Sequence, residues 1–335
     1  MRITNSMLHK FAQETVNQRI RTEPDLHAVY LTGSLLGDSP LLGGSTDIDL
    51  VLVHKYQAPV EREVAALTPE VSLDIFHKTK NQYDEHRQFR KNPWIGYPLT
   101  FNHILLFDTD HWLEFVQSSV SAHFHHSENV MARVMTLSTA AREQWFSLLR
   151  NPAQTHQEWL NRYMEVLSLA ANSVAGLISP PLTRRRFLIT FKNCAEALGV
   201  PKIVAGLYGL LGLSPDQQET MSAWIDAFQQ DFDFLQKNGT TPVHLSPCRR
   251  AYYLDAIKAL AASDDPLQAG WPLLHTWLDI RRSATKSLPG DESWENCLNT
   301  LAMTEESTSQ KIEALDAYLD SLDIVIENWS KNYRL

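Results

Sequence analysis

At about 150 residues per domain, a chain of 335 residues suggests two domains, and its 44% apolar and 21% charged residues exclude a disordered or fibrous protein. No apolar run reaches the roughly 18 to 20 residues that span a bilayer, and the opening MRITNSMLHKF lacks the apolar core of a secretory signal, so a soluble protein is expected. The formal net charge of −9 gives no general attraction to a polyphosphate, and Cys194, Cys248 and Cys297 suggest neither a disulfide framework nor a zinc cluster, which fits a reducing cytoplasm.

Strand signals fall early in the chain and helical ones late. Apolar residues at Met7, Leu8, Phe11, Val16 and Ile20 share one face of a helix over Thr4 to Arg21, which Pro24 ends. Leu26 to Leu31 reads as a strand running into Thr32-Gly33-Ser34, and a glycine-rich loop occupies Leu35 to Thr46. Ile48 to Val53 is nearly all apolar, as a strand covered on both faces would be. Pro59 to Leu67 is expected as one short helix, Val71 to Phe76 as a third strand and His103 to Phe107 as a fourth. Amphipathic helices are then predicted over Glu128 to Leu149, His156 to Ile178, Arg184 to Leu198, Pro215 to Leu235, Arg249 to Ala262, Pro266 to Ser283 and Gln310 to Trp329. Lys286 to Ser309, the least apolar stretch, is expected as a loop.

Chemistry concentrates in the early segment. Asp47 and Asp49, two apart on a strand, project to one side, and two carboxylates in a dry wall repel unless a cation sits between them. Asp74, among the apolar residues of Val71 to Phe76, is costly unless paired or bound to metal. Magnesium takes hard oxygen ligands and leaves room for water and phosphates, and three acids on adjacent strands would hold two ions for in-line displacement at phosphorus. Gly33 lets backbone approach a phosphate, and Ser34 offers a hydroxyl and an N–H to its oxygens.

This arrangement resembles the DNA polymerase β-like nucleotidyltransferases. Their apolar strand, Gly-Ser, spacer, Asp-apolar-Asp and later strand acid read here as VYLTGS, LLGDSPLLGGST, DIDLVLV and VSLDIF, over about residues 26 to 78. Leu35 and Leu36 stand where many members carry Arg or Lys. The resemblance implies that Asp47 and Asp49 bind the catalytic and nucleotide-bound Mg²⁺. Asp74 would complete the catalytic metal site and help orient or deprotonate the attacking hydroxyl, and Gly33 and Ser34 would hold the β and γ phosphates. It also implies transfer of a nucleoside monophosphate from an NTP, with ATP as the expected donor, and release of pyrophosphate.

Other signals are weaker. His123, His125 and His126 lack ligand spacing and a completing acid, and read as polar loop. Gly206, Gly209 and Gly212 do not follow a strand and read as helix packing or a helix end. Arg184, Arg185 and Arg186 crowd the first turn of a helix, where the dipole disfavours cations; an ordinary solvated run is the simpler account, and anion binding centred on Arg185 the functional one. Asn161, Arg162, Glu165 and Asn172 give the helix Trp159 to Ala175 a polar face, and Glu165 is the candidate acceptor base, against the plain reading of a surface Glu.

The fold expected is α+β: a small mixed sheet in a catalytic domain over residues 1 to 115, and an all-helical domain over 116 to 335 that closes a cleft. Net acidity favours a small hydroxylated acceptor, of the kind the aminoglycoside-modifying members adenylylate, over a polynucleotide, and no membrane partner is expected. A protein-modifying adenylyltransferase of antitoxin type, an RNA-end nucleotidyltransferase and a catalytically silent nucleotide-binding protein are the alternatives.

Overall fold

The structure, a computed structural model, describes residues 3–101, 104–151, 153–238 and 241–333. It is α+β, a five-stranded mixed sheet followed by a helical region. Helix α1 (Asn5–Thr22) starts where the Thr4 hydroxyl accepts from the Met7 N–H, and buries Leu8, Ala12 and Val16, four residues apart. Strands β1 (Leu26–Thr32), β2 (Thr46–His54), β3 (Arg62–Ala66), β4 (Val71–Thr79) and β5 (Leu105–Asp108) lie in the order β3-β4-β2-β1-β5. Only β2 and β4 pair in parallel; the other neighbours are antiparallel.

Ile48, Leu50 and Leu52 on one face of β2 and Val51 and Val53 on the other are all buried, as the apolar run requires of a central strand. Beyond β4 the chain makes short turns around α2 (Pro93–Gly96) and then α3 (Trp112–Phe124), which sends Leu113, Val116, Val120 and Phe124 into the core of the sheet.

Two sequence expectations are corrected. Residues Arg62–Ala66 within the expected helix Pro59 to Leu67 form β3, paired antiparallel with β4. The helix propensity of a nine-residue stretch is small beside a row of backbone groups on β4 that need partners. The expected loop Lys286 to Ser309 contains α11 (Asp291–Thr300), which buries Trp294, Cys297 and Leu298 at helical spacing behind an acidic first turn. The expected fourth strand is β5; His103, at its start, lies outside the described residues.

The chain divides into two compact units, Met1–Asn129 with Pro242–Ala256, and Val130–Thr241 with Ile257–Leu335. The first runs past residue 115 because α3 belongs to the core of the sheet, and it also takes in a segment from far along the chain. The helices of the second unit are α4 (Ser127–Arg150) from Val130 on, α5 (His156–Ala175), α6 (Phe187–Ala197), α7 (Lys202–Leu211), α8 (Gln218–Asn238), α10 (Gly270–Ser283), α11 and α12 (Thr308–Asn332), while α9 (Arg250–Ala261) begins in the first unit and ends in the second. Phe187 stacks on Trp271 at 3.7 Å between ring centres, and the fully buried Asp231 accepts from the Trp277 indole (2.7 Å) and the Gly290 N–H (2.6 Å). No helix among the described residues is long and apolar enough to cross a membrane.

Candidate active site

Strand register decides which acids meet. β2 and β4 pair with Asp49 opposite Asp74 and Asp47 opposite Ser72, so the alternation of side chains puts all three acids on one face. One carboxylate oxygen from each lies within 4.8 Å of the others. Asp47 and Asp74 are only 3% and 2% exposed, while Asp49 is half-buried. Three acids this close and this dry need positive charge among them.

The glycine-serine turn stands against this group. Thr32 at the end of β1 pairs with Asp49, and the next residue, Gly33, has φ +71°. A Cβ on Gly33 would stand 1.8 Å from Asp49 Oδ2, so only glycine fits. The Ser34 hydroxyl lies 3.2 Å from that of Thr46, at the head of the strand that carries Asp47 and Asp49. Leu35 is buried in the core, which is why a basic residue has no place there. Gly33, Ser34, Asp47, Asp49 and Asp74 thus come together as their spacing suggests.

Two arginines that the sequence reading does not assign supply the charge. The guanidinium of Arg62 in β3 grips Asp74 with two donors, Nε to Oδ1 at 2.7 Å and Nη2 to Oδ2 at 2.6 Å. Arg249, buried, reaches Asp47 Oδ2 at 2.9 Å and Asp74 Oδ2 at 3.0 Å from the single atom Nη1. The Tyr252 ring lies 3.9 Å from its guanidinium carbon. Burial alone would weaken the charge on Arg249, but Asp47, the two tyrosines beside it and Asp74 together outweigh that and raise its pKa.

Arg62 escapes sequence reasoning because its strand reads as a helix. Arg249 lies 202 residues from Asp47, and its trace in the sequence is a basic pair, Arg249-Arg250, at the head of a helix where cations are disfavoured. The glycine-rich loop explains how Arg249 is held. The Ser45 hydroxyl donates to the Ala251 carbonyl at 3.1 Å, and a Cβ on Gly43, at φ +64°, would stand 2.1 Å from the Asp255 carbonyl oxygen. The spacer is therefore a seat for the segment that carries Arg249.

The opposite face of the sheet holds a second group, Glu23, His54 and His77. Its polar contacts run in a chain: His54 Nε2 to His77 Nδ1 at 2.8 Å, His77 Nε2 to Glu63 at 3.1 Å, and Arg19 to Glu63 and Glu23 at 2.5 and 2.7 Å. Histidines 123, 125 and 126 belong to no group of three metal ligands among the described residues. Gly212 ends α7 in the left-handed conformation, and Gly206 lies against the Tyr318 ring, so this glycine series is a helix end and a packing contact.

Arg185 and Glu165 belong to the second unit. Arg185 is buried in a short turn of helix whose first residue, Arg184, pairs with Asp279 at 2.7 Å; Glu165 is exposed on α5. Compared with protein-family models and with curated proteins, the chain matches none.

Proposed function

We propose that the chain is a Mg²⁺-dependent nucleotidyltransferase that moves a nucleoside monophosphate, with AMP the leading choice, from an NTP to a hydroxyl of a small-molecule acceptor and releases pyrophosphate. The observation that carries the reading is the meeting of Asp47, Asp49 and Asp74 on one face, beside a Gly33 that tolerates no side chain.

The residues fit the metal. Their donors are hard carboxylate oxygens, and the guanidiniums resting on Asp47 and Asp74 show that these oxygens take positive charge. Asp47, Asp49 and Asp74 would hold Mg²⁺, which when bound supplies Lewis acidity toward phosphoryl oxygens. Gly33 keeps the backbone open to the β and γ phosphates, and Ser34 donates to their oxygens. Arg62 occupies both oxygens of Asp74 and so fixes the plane of that carboxylate, which orients the attacking hydroxyl. As the acceptor oxygen bonds to the α phosphorus and gives up its proton to water, the bond from that phosphorus to the pyrophosphate oxygen breaks on the far side and pyrophosphate leaves.

The test is incubation with each labelled NTP, Mg²⁺ and a cell metabolite extract, with Asp47→Asn as control. Nucleotide-labelled small molecules are expected from the parent protein and none from the variant; equal labelling by both would remove the site. One observation favours a second reading. Arg249 bridges Asp47 and Asp74 as it would in a catalytically silent protein whose acids only tie down a segment of chain. Calorimetry that detects neither NTP nor Mg²⁺ binding would select that reading.

A further inference from the structure

The two arginines hold the acids differently. Arg62 forms a two-pronged bond with both oxygens of one carboxylate, the strongest arrangement open to the pair. Arg249 divides one nitrogen between two carboxylates, and its buried Nε has no hydrogen-bond partner. One guanidinium belongs to a single carboxylate; the other is shared between two and keeps a donor unused.

We infer that Arg249 exchanges partners during nucleotide binding: without nucleotide it serves as the cation between Asp47 and Asp74, and the triphosphate draws it off as metal enters. This rests on the nucleotidyltransferase reading. A guanidinium cannot lose its charge in a protein, so a metal ion arriving alone would meet a buried cation on the oxygens it needs. A triphosphate removes the conflict, because its anionic oxygens offer the guanidinium a bidentate partner better than one shared nitrogen. With Leu35 in the core, no basic side chain follows the Gly33-Ser34 turn directly, and Arg249 is a cation already within the site. The Tyr252 ring centre lies 3.9 Å from the guanidinium carbon, a cation–π contact that keeps the charge favourable beside the acids.

Metal and nucleotide should therefore bind with strong positive coupling, and Arg249 should oppose the first while supporting the second. The test uses the full chain and two probes, Mn²⁺ followed by electron paramagnetic resonance and a non-hydrolysable ATP analogue followed by calorimetry. In Arg249→Gln, Mn²⁺ alone should bind at least about tenfold more tightly than in the parent, and the analogue at saturating Mn²⁺ at least about tenfold more weakly. If circular dichroism shows that Arg249→Gln does not fold, Arg249→Lys takes its place. It keeps the charge and loses the planar fork, so Mn²⁺ alone should bind within about twofold of the parent while the analogue at saturating Mn²⁺ binds at least about threefold more weakly.

Mn²⁺ binding that Asp47→Asn abolishes but Arg249→Gln leaves within twofold, or analogue binding that Arg249→Lys leaves within twofold, would overturn the exchange and leave the site standing. Absence of Mn²⁺ from every variant, with or without the analogue, would overturn the exchange and the nucleotidyltransferase reading together.

Discussion

At the scale of the residue, the site is a problem of charge. Asp47 and Asp74 are nearly excluded from water, and the fold answers with two guanidiniums whose grips differ. Gly33 is the most constrained position, since both its backbone angle and the Asp49 carboxylate exclude a side chain. Gly33→Ala is expected to cost about 1–3 kcal/mol in urea unfolding and to abolish nucleotide transfer, because Asp49 must move to admit the methyl group. An alanine variant with parental stability and activity would show that Asp49 is not held there. The acids were legible in the sequence because a strand's period of two and a buried carboxylate are both local facts. Arg249 was not, because nothing local links it to an acid 202 residues away.

At the scale of the element, the glycine-rich spacer and β3 do work that the sequence assigns elsewhere. The spacer reads only as a glycine-rich loop, and its Gly43 is where the Asp255 carbonyl comes close. Gly43→Ala should lift the Arg249 segment off its seat. Backbone amides over Arg249 to Asp255 should exchange with solvent at least about tenfold faster, while those of β2 stay protected. Unchanged exchange in that segment would mean that the loop does not hold it. β3 was missed for a complementary reason: Glu and Ala favour a helix locally, but the open edge of β4 decides, and with it the position of Arg62. The helix α11 was missed because its apolar residues are few, although Trp294, Cys297 and Leu298 fall on one face.

At the scale of the whole molecule, a sheet at the start and helices after it follow from hydrophobic period alone, and the fold class was legible on that basis. Which distant segment joins which unit was not, since Pro242–Ala256 returns to the sheet through contacts with no local signature. The helical unit carries its own pH dependence. His275 is pushed down to about 4, by burial first and then by the Arg184 cation, so the folded state holds it neutral. Between its unfolded value near 6.5 and about 4 the unfolded chain binds the extra proton, and stability falls as pH drops through that window. With the side chain 30% exposed, the loss should be about 2 kcal/mol, less than the full shift implies. Urea unfolding at pH 7 and pH 4.5 should show His275→Gln losing less stability than the parent by that amount; identical losses would dismiss the role. The central claim, that the three acids form a metal and nucleotide site, is tested most directly by anomalous scattering from crystals of the full chain grown with Mn²⁺ and a non-hydrolysable ATP analogue. A manganese peak about 2.1 Å from oxygens of Asp47, Asp49 and Asp74, with the triphosphate at Gly33 and Ser34, is the expected result. Nucleotide and manganese bound elsewhere, with Arg249 still bridging Asp47 and Asp74, would contradict it.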